Sequence, residues 1–146
     1  MNNLVNSKIT LVVPATAVGT TSIVGTTLDM SGFEGVEFIL LAGTLTDGVA
    51  AVKAGSGALA NGSDAQDLAG TSTSLPNTDD GDVAALDLYR PLDRFVTPTV
   101  VRGGSTGGVI NGVIAIQYGA HVKPTTQDAT TVPVSKTVIS PVYGTA

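Results

Sequence analysis

Residues 83–123 read VAALDLYRPLDRFVTPTVVRGGSTGGVINGVIAIQYGAHVK and restrict what the chain can fold into more than any other stretch. Val83–Tyr89 alternates loosely and stops at Arg90-Pro91, where proline removes a ladder donor and forces a break. Arg94–Val101 restarts with Phe95, Val96, Val100 and Val101, and ends at Arg102-Gly103-Gly104. Val109–Tyr118 follows, with Val109, Val113, Ala115 and Ile116 interrupted by the Asn111-Gly112 turn signal. Three consecutive strands closed by glycine turns describe a scaffold, not a catalytic framework.

The rest of the chain repeats the pattern. Lys8–Val13 reads as a first strand after a polar lead, Met1–Ser7, expected as a loose arm. Ser22–Val24 and Thr27–Met30 are short candidates separated by Gly25, and Val36–Leu41 (VEFILL) is the strongest core strand. Thr46-Asp47-Gly48 reads as a hairpin turn into Val49–Ala54, because Asp-Gly accepts the positive φ such turns require. Residues 55–82 look least ordered, with one helical turn expected over Ala65–Ala69. The expectation is an all-β chain: a single β-sandwich, jelly-roll or Ig-like, of about seven to nine strands with extended terminal arms. Residues 1–118 form the sandwich domain in this reading. Residues 119–146 carry Pro124, Pro133 and Pro141 and form an extended C-terminal arm or a last strand.

Composition narrows function. At 146 residues one domain buries roughly 68–70% of its unfolded surface. Charged residues are 13% of the chain, against about 25% in ordinary soluble domains, and the mean hydropathy is +0.33. Surface facing other protein is one explanation; a Gly/Thr-rich β-protein is the other. A net charge of −5 with seven scattered Lys and Arg argues against nucleic acid. The chain has no Cys, hence no disulfide or thiolate metal site. Ile9–Val13 is too short for a signal peptide and no stretch reaches the roughly 20 apolar residues of a membrane span. The expectation is a protein without membrane contact, made in the cytoplasm and not secreted by the usual route.

Candidate chemical motifs each have a plainer reading. Gly103-Gly104-Ser105-Thr106-Gly107 fits the G-x-S-x-G elbow, but that device needs a helix after it, and VINGVIAI is β-like; a hairpin loop is the better assignment. His121 is the only histidine and sits in a Pro-flanked segment, so neither a triad nor a zinc site is expected. Asp79, Asp80 and Asp82 lack EF-hand spacing and read as a solvated turn, and Asn61-Gly62-Ser63 as a polar turn. Arg90, Asp93 and Arg94 lie near Asp87. Short-range ion pairing accounts for them; the alternative is that one or both arginines fork onto a partner's carboxylate. No catalytic residue, metal ligand or cofactor is expected.

Several pieces resemble the capsid decoration, or cement, proteins of tailed bacteriophages. They are Asp87-x-Tyr89-Arg90-Pro91, Arg94-Phe95-Val96, Arg102 and Ile114-Ala115-Ile116-Gln117-Tyr118-Gly119, with Asp29-Met30-Ser31-Gly32-Phe33 and Val36–Leu41 fitting more loosely. They cover about half of the chain. Members of that family often carry a further basic residue just after the strand that Arg94 begins, where Thr97 and Pro98 stand here.

The resemblance implies a non-enzymatic virion protein on the capsid exterior. Its partners would be the major capsid protein and two further copies of itself in a homotrimer, bridging and stabilising the head. A neck or tail component of the virion and a host-glycan-binding β-sandwich are the alternatives. The interface residues expected are Arg90, Arg94, Val138, Ile139 and Tyr143.

Overall fold

The computed structural model describes residues 3–138. A single helical turn, α1 (Asn3–Asn6), leads into β1 (Lys8–Val13) and β2 (Thr16–Gly19). β3 (Ile23–Val24), β4 (Leu28–Asp29), β5 (Gly35–Leu45) and β6 (Ala50–Gly57) follow. β7 (Gln66–Asp67), β8 (Thr73–Leu75), β9 (Val83–Tyr89), β10 (Phe95–Arg102) and β11 (Gly108–Tyr118) complete the described elements.

One sheet has the order β1-β11-β5-β9, with β2 also on β11; the other has β3-β10-β6-β7, with β4 on β10 and β8 on β6. All pairings are antiparallel. β1/β2, β3/β4 and β7/β8 each behave as one interrupted strand, which leaves eight positions. In chain order these run 1-8-3-6 in one sheet and 2-7-4-5 in the other, the order of a jelly roll. The sandwich expectation therefore holds, in its jelly-roll form.

Successive long strands lie in opposite sheets, and this corrects two local readings. Thr46-Asp47-Gly48 joins β5 to β6 and Gly103–Gly107 joins β10 to β11; both loops cross between sheets and neither is a hairpin. The core lies between the sheets. Val36, Phe38 and Leu40 point inward from β5, at 0% exposure, and share one apolar cluster with Val52, Val96 and Val100 from β6 and β10.

The interruptions have local causes. Pro14 separates β1 from β2, as expected of a residue without an N–H. Pro98 stands mid-strand in β10 opposite Ala54 of β6. Its free side faces the gap between β3 and β4, where Gly25 N–H donates to the Pro98 carbonyl at 2.8 Å. A proline in the strand and a break in its neighbour thus coincide. On the far side of β6, Thr71 fills the gap between β7 and β8: its hydroxyl accepts from Ala54 N–H at 3.2 Å and donates to the Leu68 carbonyl at 2.7 Å.

Other expectations are corrected. Gln66–Asp67, within the stretch expected to be helical, pairs with β6 as a strand, because Gly55 and Ser56 offer it an open ladder. Asn111-Gly112 is no turn: β11 runs through it with a register shift, and Gly112 (φ 147°) absorbs the bulge. The described part of the N-terminal lead, from Asn3 on, is anchored. Thr125 N–H donates to the Val5 carbonyl at 3.0 Å, and Gln127 Nε2 donates to the carbonyls of Leu4 at 3.1 Å and Ser7 at 2.8 Å.

After β11, residues 119–138 contain no strand and run back along β1. Ile9 N–H donates to Gln127 Oε1 at 2.9 Å and Leu11 N–H to Thr131 Oγ1 at 3.2 Å. Two outward donors of an edge strand are satisfied in this way. Ile139 and Tyr143 lie outside the described residues.

Phe38 is fully enclosed by both sheets. Phe38→Ala is expected to lower stability by about 3–5 kcal/mol, from lost burial plus the cavity left behind. Urea unfolding followed by tyrosine fluorescence reads this as a lower midpoint with an unchanged slope.

Candidate functional site at one end of the sandwich

Strand register brings separated sequence pieces to one end. Gly35, where β5 starts, pairs with Tyr89 at the end of β9 and with Tyr118 at the end of β11. Phe95, where β10 starts, pairs with Asp29 at the end of β4. Three connections therefore meet there: residues 30–34, residues 90–94 and the chain just after Tyr118. They enclose an open groove of about 560 Å³, lined among others by Met30, Phe33, Glu34, Arg90, Leu92 and His121.

Polar ties hold the groove's walls. Arg94 forks onto Asp29, Nε to Oδ1 at 2.9 Å and Nη2 to Oδ2 at 2.7 Å, and stacks over Phe95 with its guanidinium carbon 5.0 Å from the ring centre. The Arg94 hydrogen bond, aided by the Ser31 N–H, holds the Asp29 carboxyl below its ordinary range against the opposing effect of burial. Beneath it, buried Gln117 of β11 donates from Nε2 to the Asp29 carbonyl at 2.8 Å, which ties β4 of one sheet to β11 of the other. Asp93 accepts from Ser56 Oγ at 2.8 Å. Tyr118 donates its hydroxyl to Asp87 at 2.7 Å; burial and that contact raise its pKa. Gly35 leaves room for the Tyr118 ring, since a Cβ there would sit 2.4 Å from it.

Arg90 differs from Arg94. Its φ of 52° is left-handed, unusual for a non-glycine residue and more so before proline. Its N–H donates to the Glu34 carbonyl at 2.9 Å, and its guanidinium carbon sits 5.1 Å from the Tyr89 ring centre. Among the described residues it makes no salt bridge. Leu92 beside it is 84% exposed, and Val122, which lines a smaller adjoining pocket with Ser31 and Phe33, is 81% exposed.

The expected site residues thus separate. Arg90 and Arg94 converge on the groove, which His121, not expected to have a role, also lines. The anticipated short-range pairing with Asp87 is replaced by the long-range Asp29 fork, because β4 and not β9 lies beside the Arg94 side chain. Val138 is exposed and does not line the groove.

Ser105 lies at the opposite end of the sandwich, where its hydroxyl and N–H both donate to the Asp47 carboxylate, at 2.5 and 2.9 Å. Thr106 and Gly107 N–H groups join at 3.0 Å. β11 separates Ser105 from His121, and its eleven residues at about 3.3 Å each span about 36 Å, so the two cannot act together. At that same end Arg102, nearly buried, donates to the carbonyls of Thr21 and Ala17, both at 2.8 Å. Asp80 is engaged by the Leu45 N–H at 2.6 Å, and no group of three or more metal-binding side chains occurs among the described residues. Asn61 caps its own turn through Ser63 N–H at 3.1 Å.

Sequence reasoning missed Asp29, Gln117 and Asp47 as ties, since each acts on a residue 58 or more positions away, the Asp47–Ser105 separation being the shortest. Asp47 offered one signal: an Asp-Gly pair next to a long strand, facing a Gly/Ser/Thr loop that carries several free N–H groups.

No family model matches the chain, and no curated protein matches it. Among solved structures, a protein of Bacillus endospore appendages, which form a family of disulfide-linked pili, is similar with a TM-score of 0.48 and 17% identity over 78% of this chain and 88% of that one. The likeness is too distant to bear on what this chain does.

The Asp47 carboxyl is held down to about 2 from 3.8, first by the Ser105 hydroxyl and then by the backbone N–H groups of the loop. A depressed folded value stabilises the protein above the unfolded value, and that stabilisation is lost as pH falls from about 3.8 through about 2. Asp29 shifts in the same direction. Melting temperature is expected to fall across this window, and to fall less steeply in Asp47→Asn, checked by circular dichroism melts at stepped pH.

Proposed function

We propose that the chain is a non-enzymatic virion structural protein, a decoration protein on the outer surface of a tailed-phage head that docks onto capsid subunits through the groove end of the sandwich. One observation carries the reading: four of the pieces that resemble decoration proteins, far apart in sequence, come together around one groove, while Arg102 lies at the other end. Asp29–Phe33, Tyr89–Pro91, Arg94-Phe95 and Tyr118-Gly119 all flank it. Exposed Leu92 and Val122 supply apolar contact, and Arg94 is fixed by Asp29 so that its remaining face is presented without much loss of freedom. An open, mixed groove with a rigid polar wall suits a protein surface better than a small substrate, which is normally enclosed. Ser105 and His121, the two residues with nucleophile or base character singled out in the sequence, stand at opposite ends.

Quantitative mass spectrometry of purified virions from the source tests the reading. Hundreds of copies in fixed ratio to the major capsid protein are expected. About a dozen would instead indicate a neck or tail component, and none would refute a virion role. Leu92→Asp, on a side chain too exposed to affect folding, is expected to lower retention on isolated heads by roughly tenfold in apparent Kd, for loss of about 1.4 kcal/mol. Cosedimentation of heads with added protein reads it.

A further inference from the structure

The two outer strands of the β1-β11-β5-β9 sheet are treated differently. The β1 edge is covered by the chain's own residues 125–131. Among the described residues β9 pairs only with β5. Ala42 N–H donates to the Asp82 carbonyl at 3.0 Å and Arg90 N–H to the Glu34 carbonyl at 2.9 Å, just outside the two ends of the ladder. Antiparallel ladders alternate, so residues 84, 86 and 88 direct their backbone groups to β5, and Val83, Ala85, Asp87 and Tyr89 direct theirs outward. Among the described residues nothing bonds those outward groups. The same four side chains are exposed, Val83 at 53% and Tyr89 at 54%. An edge of this kind is a template for another strand.

We propose that the occupant is β9 of a second copy, paired antiparallel about a two-fold axis centred on Leu86. Charge selects both the partner and the register. In this register Val83 lies opposite Tyr89 of the second copy, an aromatic against a β-branched side chain, and Ala85 lies opposite Asp87. Just beyond the strand ends, Arg90 comes opposite Asp82 of the second copy, twice by symmetry. Both are exposed, and Arg90 makes no salt bridge among the described residues of its own chain. Shifting the register by one step towards Tyr89 would set Asp87 against Asp87, and like charges directly opposed disfavour that alignment. The inner faces of both copies stay on one side, so the sheet continues as a single layer across an isologous interface.

Sedimentation velocity of the purified chain tests this independently of any virion. The expected species has twice the 14.6 kDa mass of one chain. A monomer, or the trimer that the decoration-protein resemblance implies, overturns the proposal. Ala85→Pro removes an outward N–H that β5 does not use and is expected to give a monomer that melts cooperatively. Persistence of the dimer in that variant overturns the proposal too. Arg90→Asp and Asp82→Arg each place like charges opposite one another, and each is expected to weaken self-association by roughly tenfold. The double exchange restores complementarity and is expected to recover most of that loss; failure to recover in a double variant that is folded by circular dichroism refutes the register. These outcomes stand apart from copy number on heads, so either proposal can fail without the other.

Discussion

Every backbone N–H and C=O that leaves water must find a partner, and in a two-layer sandwich the difficulty gathers at the strand edges and wherever a strand is interrupted. Much of this molecule's irregularity answers that demand. The Gly25 gap sits beside Pro98, which has no N–H to offer, while the Pro98 carbonyl is still used. The gap between β7 and β8 is closed by a side chain, Thr71, that both accepts and donates. Along β1 the covering groups are again side chains, Gln127 and Thr131, so the outward N–H groups of Ile9 and Leu11 are satisfied without a further strand. A side-chain cover has a physical advantage over a strand: it ends the ladder, since it presents no new row of backbone groups to the next molecule. Among the described residues β9 has no such cover.

The two ends of the sandwich are held by polar ties of opposite character. At one end a carboxylate, Asp47, gathers three backbone N–H groups and a hydroxyl, while a guanidinium, Arg102, donates to backbone carbonyls. At the groove end an arginine meets an aspartate directly, with Gln117 supporting the same residue from below. Backbone partners are fixed by the fold and carry no net charge, so such ties need few ionic residues. This helps a chain with only 13% charged residues to order long connections. Loops tied in this way lose little further entropy on docking, which favours rigid binding surfaces.

The architecture was legible wherever period and punctuation agreed. Val36–Leu41 declared its inward face through Val36, Phe38 and Leu40, and Pro91 and Gly103 marked strand ends. Legibility failed where a turn signal served another purpose. Asp47-Gly48 and Gly103–Gly107 have the composition of hairpin turns, and nothing local tells whether the next strand returns to the same sheet or crosses to the other; that depends on the order of all the strands. Asn111-Gly112 has turn chemistry, yet the pairing on both sides of β11 outweighs it and leaves only a bulge. At the groove, Arg90, Arg94 and His121 were visible because charged or titratable residues are scarce here. Their partners were not. Asp29 lies 65 positions from Arg94 and Gln117 lies 88 from Asp29, distances over which sequence proximity says nothing.

Arg90 links the two surfaces, since it lines the groove and ends the open strand. Its left-handed backbone turns the chain away from β9 at the point where the groove begins, a conformation that costs of order 1 kcal/mol or more and persists because Glu34 and Tyr89 hold it. With β9 self-paired, antiparallel geometry sends the two grooves to opposite ends of the doubled sheet, facing away from each other. β9 is seven residues long, so at about 3.3 Å per residue the paired segment alone sets them apart by about 23 Å. A body with two outward-facing grooves engages two separate surfaces at once, and the second contact forms at the effective concentration set by the first. For a protein that braces neighbouring capsid subunits, a rigid two-fold pair would serve the same end as a trimer: weak contacts made strong by being joined.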